Sequence, residues 1–335
     1  MIHTLQFYCQ LSNASINLIS DRFGETIQLI PLQIDDIFTA CSTTIIKKYN
    51  QWRLYTIVDV VKLLQRSDIE ESDLPEIESY LKRYTNFING IWLNYHDLTL
   101  IRIDYRYDVI VKEIKEREIL FKLYKKTLEQ YGYKRKFNKK ESDEEDIKYK
   151  TYDTSIYFNT LSTVTVAYDK VTQRKETSTN LESYEENVIR FEFRIMNSHL
   201  NNKKYKNKIE KTLKNYFKQE LFLNYMKSNF EPLFYKGDYF KIFRADTIIN
   251  NSSLKDKDKV LIRQFLIDVS ENNLSQVKKI KNMNKNLKYN KYKFHKCIKM
   301  LNSLKINPIL IPKNEACNSF IANPYKLGIE EVYVA

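Results

Sequence analysis

Three short segments of this chain set reactive side chains among residues that otherwise alternate as strands do: RIDYRYD at 102–108, VTVAYDK at 164–170 and RFEFR at 190–194. Tyr168 and Lys170 stand two residues apart, a spacing that puts both side chains on one face of an extended strand. Tyrosine is a poor nucleophile near its free pKa of about 10, so attack on a phosphodiester needs a cation to steady the phenolate or to polarise the phosphorus. Lys170 is placed for the first task. Asp104 and Glu192 each alternate with apolar neighbours and project from the opposite side of their strands. Two hard oxygen ligands on neighbouring strands suit Mg²⁺ or Mn²⁺ better than zinc, and such a metal acts on phosphate as a Lewis acid.

Each segment also has a plainer explanation. Tyrosine is common in strands, and R-x-D or R-x-E alternation makes cross-strand ion-pair ladders on exposed sheet faces. The order of the three segments carries more weight than any one of them. A strand with Arg102, Ile103 and Asp104 comes first, then one with Val166, Ala167, Tyr168 and Lys170. Last comes a strand with Arg190, Phe191, Glu192, Arg194 and Ile195.

That order resembles the gene II replication initiators of filamentous phages and the related phage and plasmid replication proteins. The resemblance covers about residues 98–200. It implies a rolling-circle initiator that nicks one DNA strand with Tyr168 and stays joined to the 5′ phosphate. Lys170 assists, Asp104 and Glu192 hold Mg²⁺ or Mn²⁺, and Arg102, Arg190 and Arg194 contact DNA. A host polymerase would extend the freed 3′ end, and a host helicase is implied beside it. No His-hydrophobic-His pair occurs among His3, His96, His199 and His295, which departs from the wider class of histidine-ligated nicking enzymes. His96, just ahead of the Asp104 strand, is a candidate third ligand. Tyr152, Tyr157 and Tyr184 rival Tyr168 as nucleophile, and Asp169, on the opposite side of its strand, receives no catalytic role.

The elements that must position these residues read as α+β: a mostly antiparallel central sheet flanked by helices, with a basic helical C-terminal region. The first fifty residues alternate short apolar and polar runs, which favours strands over helix. Residues 53–66 fit either a strand passing into a helix or one helix. Helical spacing runs from Asp73 to Trp92, a strand from 98 to 111, and an amphipathic helix from 112 to 131. Residues 1–133 make up the N-terminal half of the catalytic domain, 134–150 a charged loop or linker, and 151–200 the catalytic strands. A hairpin turning near 159–162 and a strand at 187–197 lie in that last part, with a polar loop between them. Residues 201–335 read as Lys-rich helices, including VKKIKNMNKNLKYNKYKFHKCIKML, followed by an irregular tail.

Composition fits this picture. Lys and Arg outnumber Asp and Glu by 55 to 42, so a polyanionic partner is an early candidate. The 25 Tyr and 18 Phe fill a core and offer faces on which unpaired bases stack. Cys9, Cys41, Cys297 and Cys317 are scattered, giving neither a zinc cage nor a disulfide framework, and a reducing cytoplasm is expected, which the resemblance implies is that of a bacterial host. Polar residues interrupt each apolar stretch of the first nineteen, so neither a signal peptide nor a membrane span is expected there. Two other functions share these features: a plasmid-mobilisation relaxase and a non-catalytic DNA-binding regulator of copy number or transcription.

Overall fold

The computed structural model of the chain describes residues 1–89, 93–128 and 154–327. Strand β1 (Ile2–Leu11) forms as its alternation requires. The segment after it departs from expectation, for helices α1 (Asn13–Phe23) and α2 (Ile30–Ile37) stand where strands were expected. The end signals decide this. Ser12 Oγ accepts from the Ser15 backbone N–H at 3.0 Å, and Gly24 closes α1 in the left-handed region at φ 64°. Ile16 and Ile19, three apart, go into the core, and Pro31 lies in the first turn of α2.

Strands β2 (Cys41–Lys48) and β3 (Gln51–Asp59) form a hairpin through Tyr49 and Asn50, both at positive φ. Asp59 then caps a short helix α3 (Val60–Leu64), so residues 53–66 are a strand passing into a helix. Helix α4 (Leu74–Asn89), strand β4 (Thr99–Ile110) and helix α5 (Ile114–Leu128) follow the periodicity of their sequences. Strands β5 (Ser155–Asn159) and β6 (Thr163–Asp169) flank the turn expected near 159–162, ahead of helix α6 (Lys170–Glu176) and strand β7 (Val188–Met196). Then come α7 (Asn197–Asn207), α8 (Leu213–Tyr216), α9 (Gln219–Phe234), β8 (Tyr239–Phe240), α10 (Ile242–Asn250), α11 (Asp256–Val277), α12 (Lys291–Ser303) and β9 (Phe320–Ile321).

The long helix expected through VKKIKNMNKNLKYN is broken, because residues 278–290 turn and make a bridge between Lys281 and Leu287. Asparagine explains the break. Asn282 Oδ1 accepts from the Asn286 N–H and Asn290 Oδ1 from the Lys293 N–H, local bonds that compete with a helix ladder.

The class is as expected: α+β, with a seven-stranded antiparallel central sheet in the order β2-β3-β1-β4-β7-β6-β5, flanked by helices. The chain divides into two compact units, each gathered from three stretches: residues 1–107, 159–165 and 192–225 in one, 108–158, 166–191 and 226–335 in the other. The charged stretch 134–150, expected as a linker, lies outside the described residues.

In the first unit Leu5 of β1 pairs with Val58 on one side and Ile103 on the other, making an apolar stripe. The Tyr84 hydroxyl from α4 shares hydrogen bonds with Thr56 at 2.7 Å and Thr43 at 3.0 Å, which ties that helix to β3 and β2. In the second unit the rings of Phe191, Phe230, Phe234 and Tyr325 pack together. Asn307 and Asn323 both donate to the carbonyls of Phe234 and Gly237, closing an irregular corner. Gly237 is required there, since a Cβ would fall 2.1 Å from the Ile306 carbonyl carbon. Among the described residues no helix is long and apolar enough to cross a membrane.

Candidate active site

Asp104 sits in the middle of β4. The register sets Ile103 beside Leu5, but Asp104 beside Thr4 and Arg102 beside Gln6, so Arg102 and Asp104 share the polar face as alternation predicted. Arg102 grips Asp104 with a guanidinium fork, Nε donating to Oδ1 at 2.8 Å and Nη2 to Oδ2. On β7, Arg194 Nη2 donates to Glu192 Oε2 at 2.8 Å, while its Nε stands 3.6 Å from Asp104 Oδ2. One guanidinium thus bridges both carboxylates, which converge as the sequence suggested.

The polar face is closed rather than open. Asp104 and Glu192 are each 1% exposed, whereas the side chains of Arg102 and Arg194 remain about a quarter exposed and cover them. Burial pushes the Asp104 carboxyl above its ordinary range. The Arg102 hydrogen bond and the charges of Arg102 and Arg194 oppose this, and the Glu192 charge adds to it.

The second unit holds the tyrosine group, with one correction to the expected geometry. Lys170 is not on the strand with Tyr168: β6 ends at Asp169, and Lys170 is the first residue of α6. Asp169 causes the turn, its Oδ1 accepting from the Thr172 N–H at 2.8 Å as the helix cap and its Oδ2 from Arg117 Nε at 2.7 Å. Lys170 nevertheless stays beside the tyrosine, its Nζ 5.9 Å from the centre of the Tyr168 ring. Tyr168 is buried but for 8% of its surface, and Lys170 but for 4%.

Lys170 is itself held in place: its Nζ donates to Gln173 Oε1 at 2.9 Å and lies 3.2 Å from Glu185 Oε1. Glu185 also receives a fork from Arg174, Nε to Oε2 at 2.6 Å and Nη2 to Oε1 at 2.8 Å. Burial alone would raise the Glu185 carboxyl, but the Arg174 hydrogen bond and the Lys170 charge outweigh it and hold it down at about 2. Lys170 shifts downward through burial and the nearby Arg190 and Arg174 charges, with Glu185 opposing. Arg190 is wholly buried, forked onto Asp108 by two bonds of 2.8 Å and 4.0 Å from Glu185, an arrangement that gives it no surface for a DNA phosphate.

Glu185, Arg174 and the structural role of Asp108 are not evident in the sequence. Glu185 lies in the stretch read as a polar loop. It closes a single turn at Ser183–Glu185, where Glu182 and Glu185 form a capping box, and that three-residue spacing was its one sequence mark. His96 lies exposed on a turn at Tyr95–Asp97, with its ring against Tyr95. Tyr157 and Tyr184 are half-buried, and Tyr152 lies outside the described residues. Among the described residues no group of three or more His, Cys, Asp and Glu side chains gathers at a metal-binding spacing. No family model and no curated protein matches this chain.

Proposed function

We propose that this protein is a rolling-circle replication initiator, a metal-dependent endonuclease that nicks one DNA strand and remains joined to its 5′ phosphate through Tyr168. The observation that carries the reading is the Tyr168–Lys170 arrangement: a nearly buried phenol with an ammonium 5.9 Å from its ring, the ammonium held by Glu185. In the step proposed, the Tyr168 oxygen bonds to phosphorus as the bond from phosphorus to the 3′ oxygen breaks. The phenolic proton is lost and the 3′ oxygen gains one, so a 3′ hydroxyl is released. Lys170 steadies the negative charge on the phenolate oxygen, and Glu185 and Gln173 keep that ammonium in place.

Asp104 and Glu192 would hold Mg²⁺ or Mn²⁺. Their hard oxygens suit such an ion. When bound, the ion would supply Lewis-acid polarisation of a phosphate. Arg102 and Arg194, partly exposed, would turn from the carboxylates toward DNA phosphates. A host helicase and polymerase would follow, in a bacterial cytoplasm.

A second reading has its own support. Every carboxylate named for the metal is already paired with arginine, as in a purely structural ladder, which suits a DNA-binding regulator without catalysis. A plasmid-mobilisation relaxase would share the nicking chemistry.

The test is incubation with labelled single-stranded DNA from the protein's own replicon and Mn²⁺ or Mg²⁺, followed by denaturing electrophoresis. A covalent adduct that needs metal and disappears in Tyr168→Phe is expected. DNA that is bound but never joined would overturn the enzyme reading in favour of the regulator.

A further inference from the structure

From residue 272 to 314 the chain has eleven lysines and no Asp or Glu. This stretch holds the Asn-rich turn at 278–290 and helix α12, all within the second unit. Helix α12 is amphipathic: Phe294, Cys297, Met300 and Leu301 are buried, while Tyr292, His295 and Lys299 lie along its exposed side. Phe265 of α11 packs edge-on against Phe294, fixing which side of α12 faces out.

The nine lysines from 278 to 299 sort into two kinds. Lys288 and Lys296 are structural, Lys288 Nζ lying 2.6 Å from Asp268 and Lys296 Nζ 2.5 Å from Asp258. Lys278 lies over the Phe294 ring. By contrast Lys279, Lys281, Lys285, Lys291, Lys293 and Lys299 are exposed, and none makes an ion pair or hydrogen bond through its ammonium among the described residues. Such a concentration of uncompensated charge repels itself, and a partner carrying closely spaced negative charge relieves it.

We infer that α12 and the turn at 278–290 form a duplex-DNA binding surface, with α12 entering the major groove and the turn lysines on the flanking phosphates. An α-helix with its side chains is about 10–12 Å across, and the major groove is about 12 Å wide. The exposed side of α12 carries hydrogen-bonding groups on Tyr292, His295 and Lys299, which suits base edges better than lipid. The inference rests on the DNA reading above but not on nicking, and it names where duplex DNA is held.

The test is the salt dependence of binding to a short labelled duplex, comparing the intact protein with a Lys279→Ser, Lys281→Ser, Lys285→Ser triple variant. These exposed side chains hold nothing in place, and circular dichroism confirms folding. The slope of log affinity against log salt is expected to flatten by roughly 0.9 for each phosphate that the variant no longer neutralises. In the otherwise intact protein with Tyr292→Ala and His295→Ala, discrimination between the protein's own replicon sequence and an unrelated duplex is expected to fall while the slope holds. An unchanged slope in the triple variant overturns the inference. So does loss of binding to phosphatidylserine vesicles in that variant with duplex binding intact, which would assign the patch to a membrane. Failure of the nicking reading looks different: no adduct from the intact protein, with duplex binding and its salt slope as expected.

Discussion

The Glu185 carboxylate lies 3.2 Å from the Lys170 ammonium, and neither residue is more than 4% exposed. Lys170 and Arg174 both lean on this one acid, with Arg190 nearby. Glu185→Gln would leave buried positive charge uncompensated and is expected to cost about 3 kcal/mol, measured by chemical denaturation at neutral pH. The pH dependence has a definite sign. A carboxyl held at about 2, against 4.5 ordinarily, contributes stability that is complete above 4.5 and is lost as pH falls toward 2. The stability gap between parent and variant should therefore close over that window.

Lys170→Met separates the ammonium from the fold. Glu185 keeps its Arg174 fork in this variant, so stability should change far less than in Glu185→Gln. Single-turnover joining to labelled single strands is expected to slow about 100-fold, the usual scale for loss of one preorganised charge. Equal joining rates would remove Lys170 from the chemistry.

Asp104 behaves oppositely to Glu185. An acid whose pKa is raised on folding costs stability at neutral pH, and the cost disappears as pH falls through the raised value toward 3.8. Its arginine partners reach solvent, so Asp104→Asn should melt within about 1 kcal/mol of the parent. Mn²⁺ should raise the melting temperature of the parent and not of this variant, because a ligand stabilises only a fold that binds it.

Gly237→Ala tests the corner closed by Asn307 and Asn323. The added methyl would meet backbone atoms of Ile306 and Asn307 at 2.1–2.4 Å, and backbone cannot swing aside as a side chain can. A loss of about 3 kcal/mol or more is expected in thermal melts.

Much of the sheet was legible because strand periodicity is local: Ile103 and Asp104 fall on opposite faces as their spacing requires. That Asp104 and Glu192 each leave the apolar face was legible for the same reason, but their convergence needs β4 beside β7, a pairing of distant segments that local spacing does not report. The early helices were misread because apolar spacing in ASINLIS is ambiguous, while Ser12 and Gly24, which settle it, look ordinary outside their hydrogen bonds. Lys170 falls on a helix rather than on the strand because Asp169 caps α6 through the Thr172 N–H, a turn signal that strand alternation alone does not weigh. Glu185 escaped notice because its value comes entirely from what surrounds it, and no spacing rule reports a residue in a turn that becomes the hub of three cations.

The Arg102–Asp104 and Arg194–Glu192 pairs together carry no net charge. On the proposed reading, a divalent ion entering alone would leave this buried cluster with a surplus of two positive charges, and DNA entering alone would add negative charge beside two buried carboxylates. Ion and phosphate offset each other, so each should bind more tightly once the other is present. Such cooperativity would keep the site idle in a cell rich in Mg²⁺ until a strand arrives.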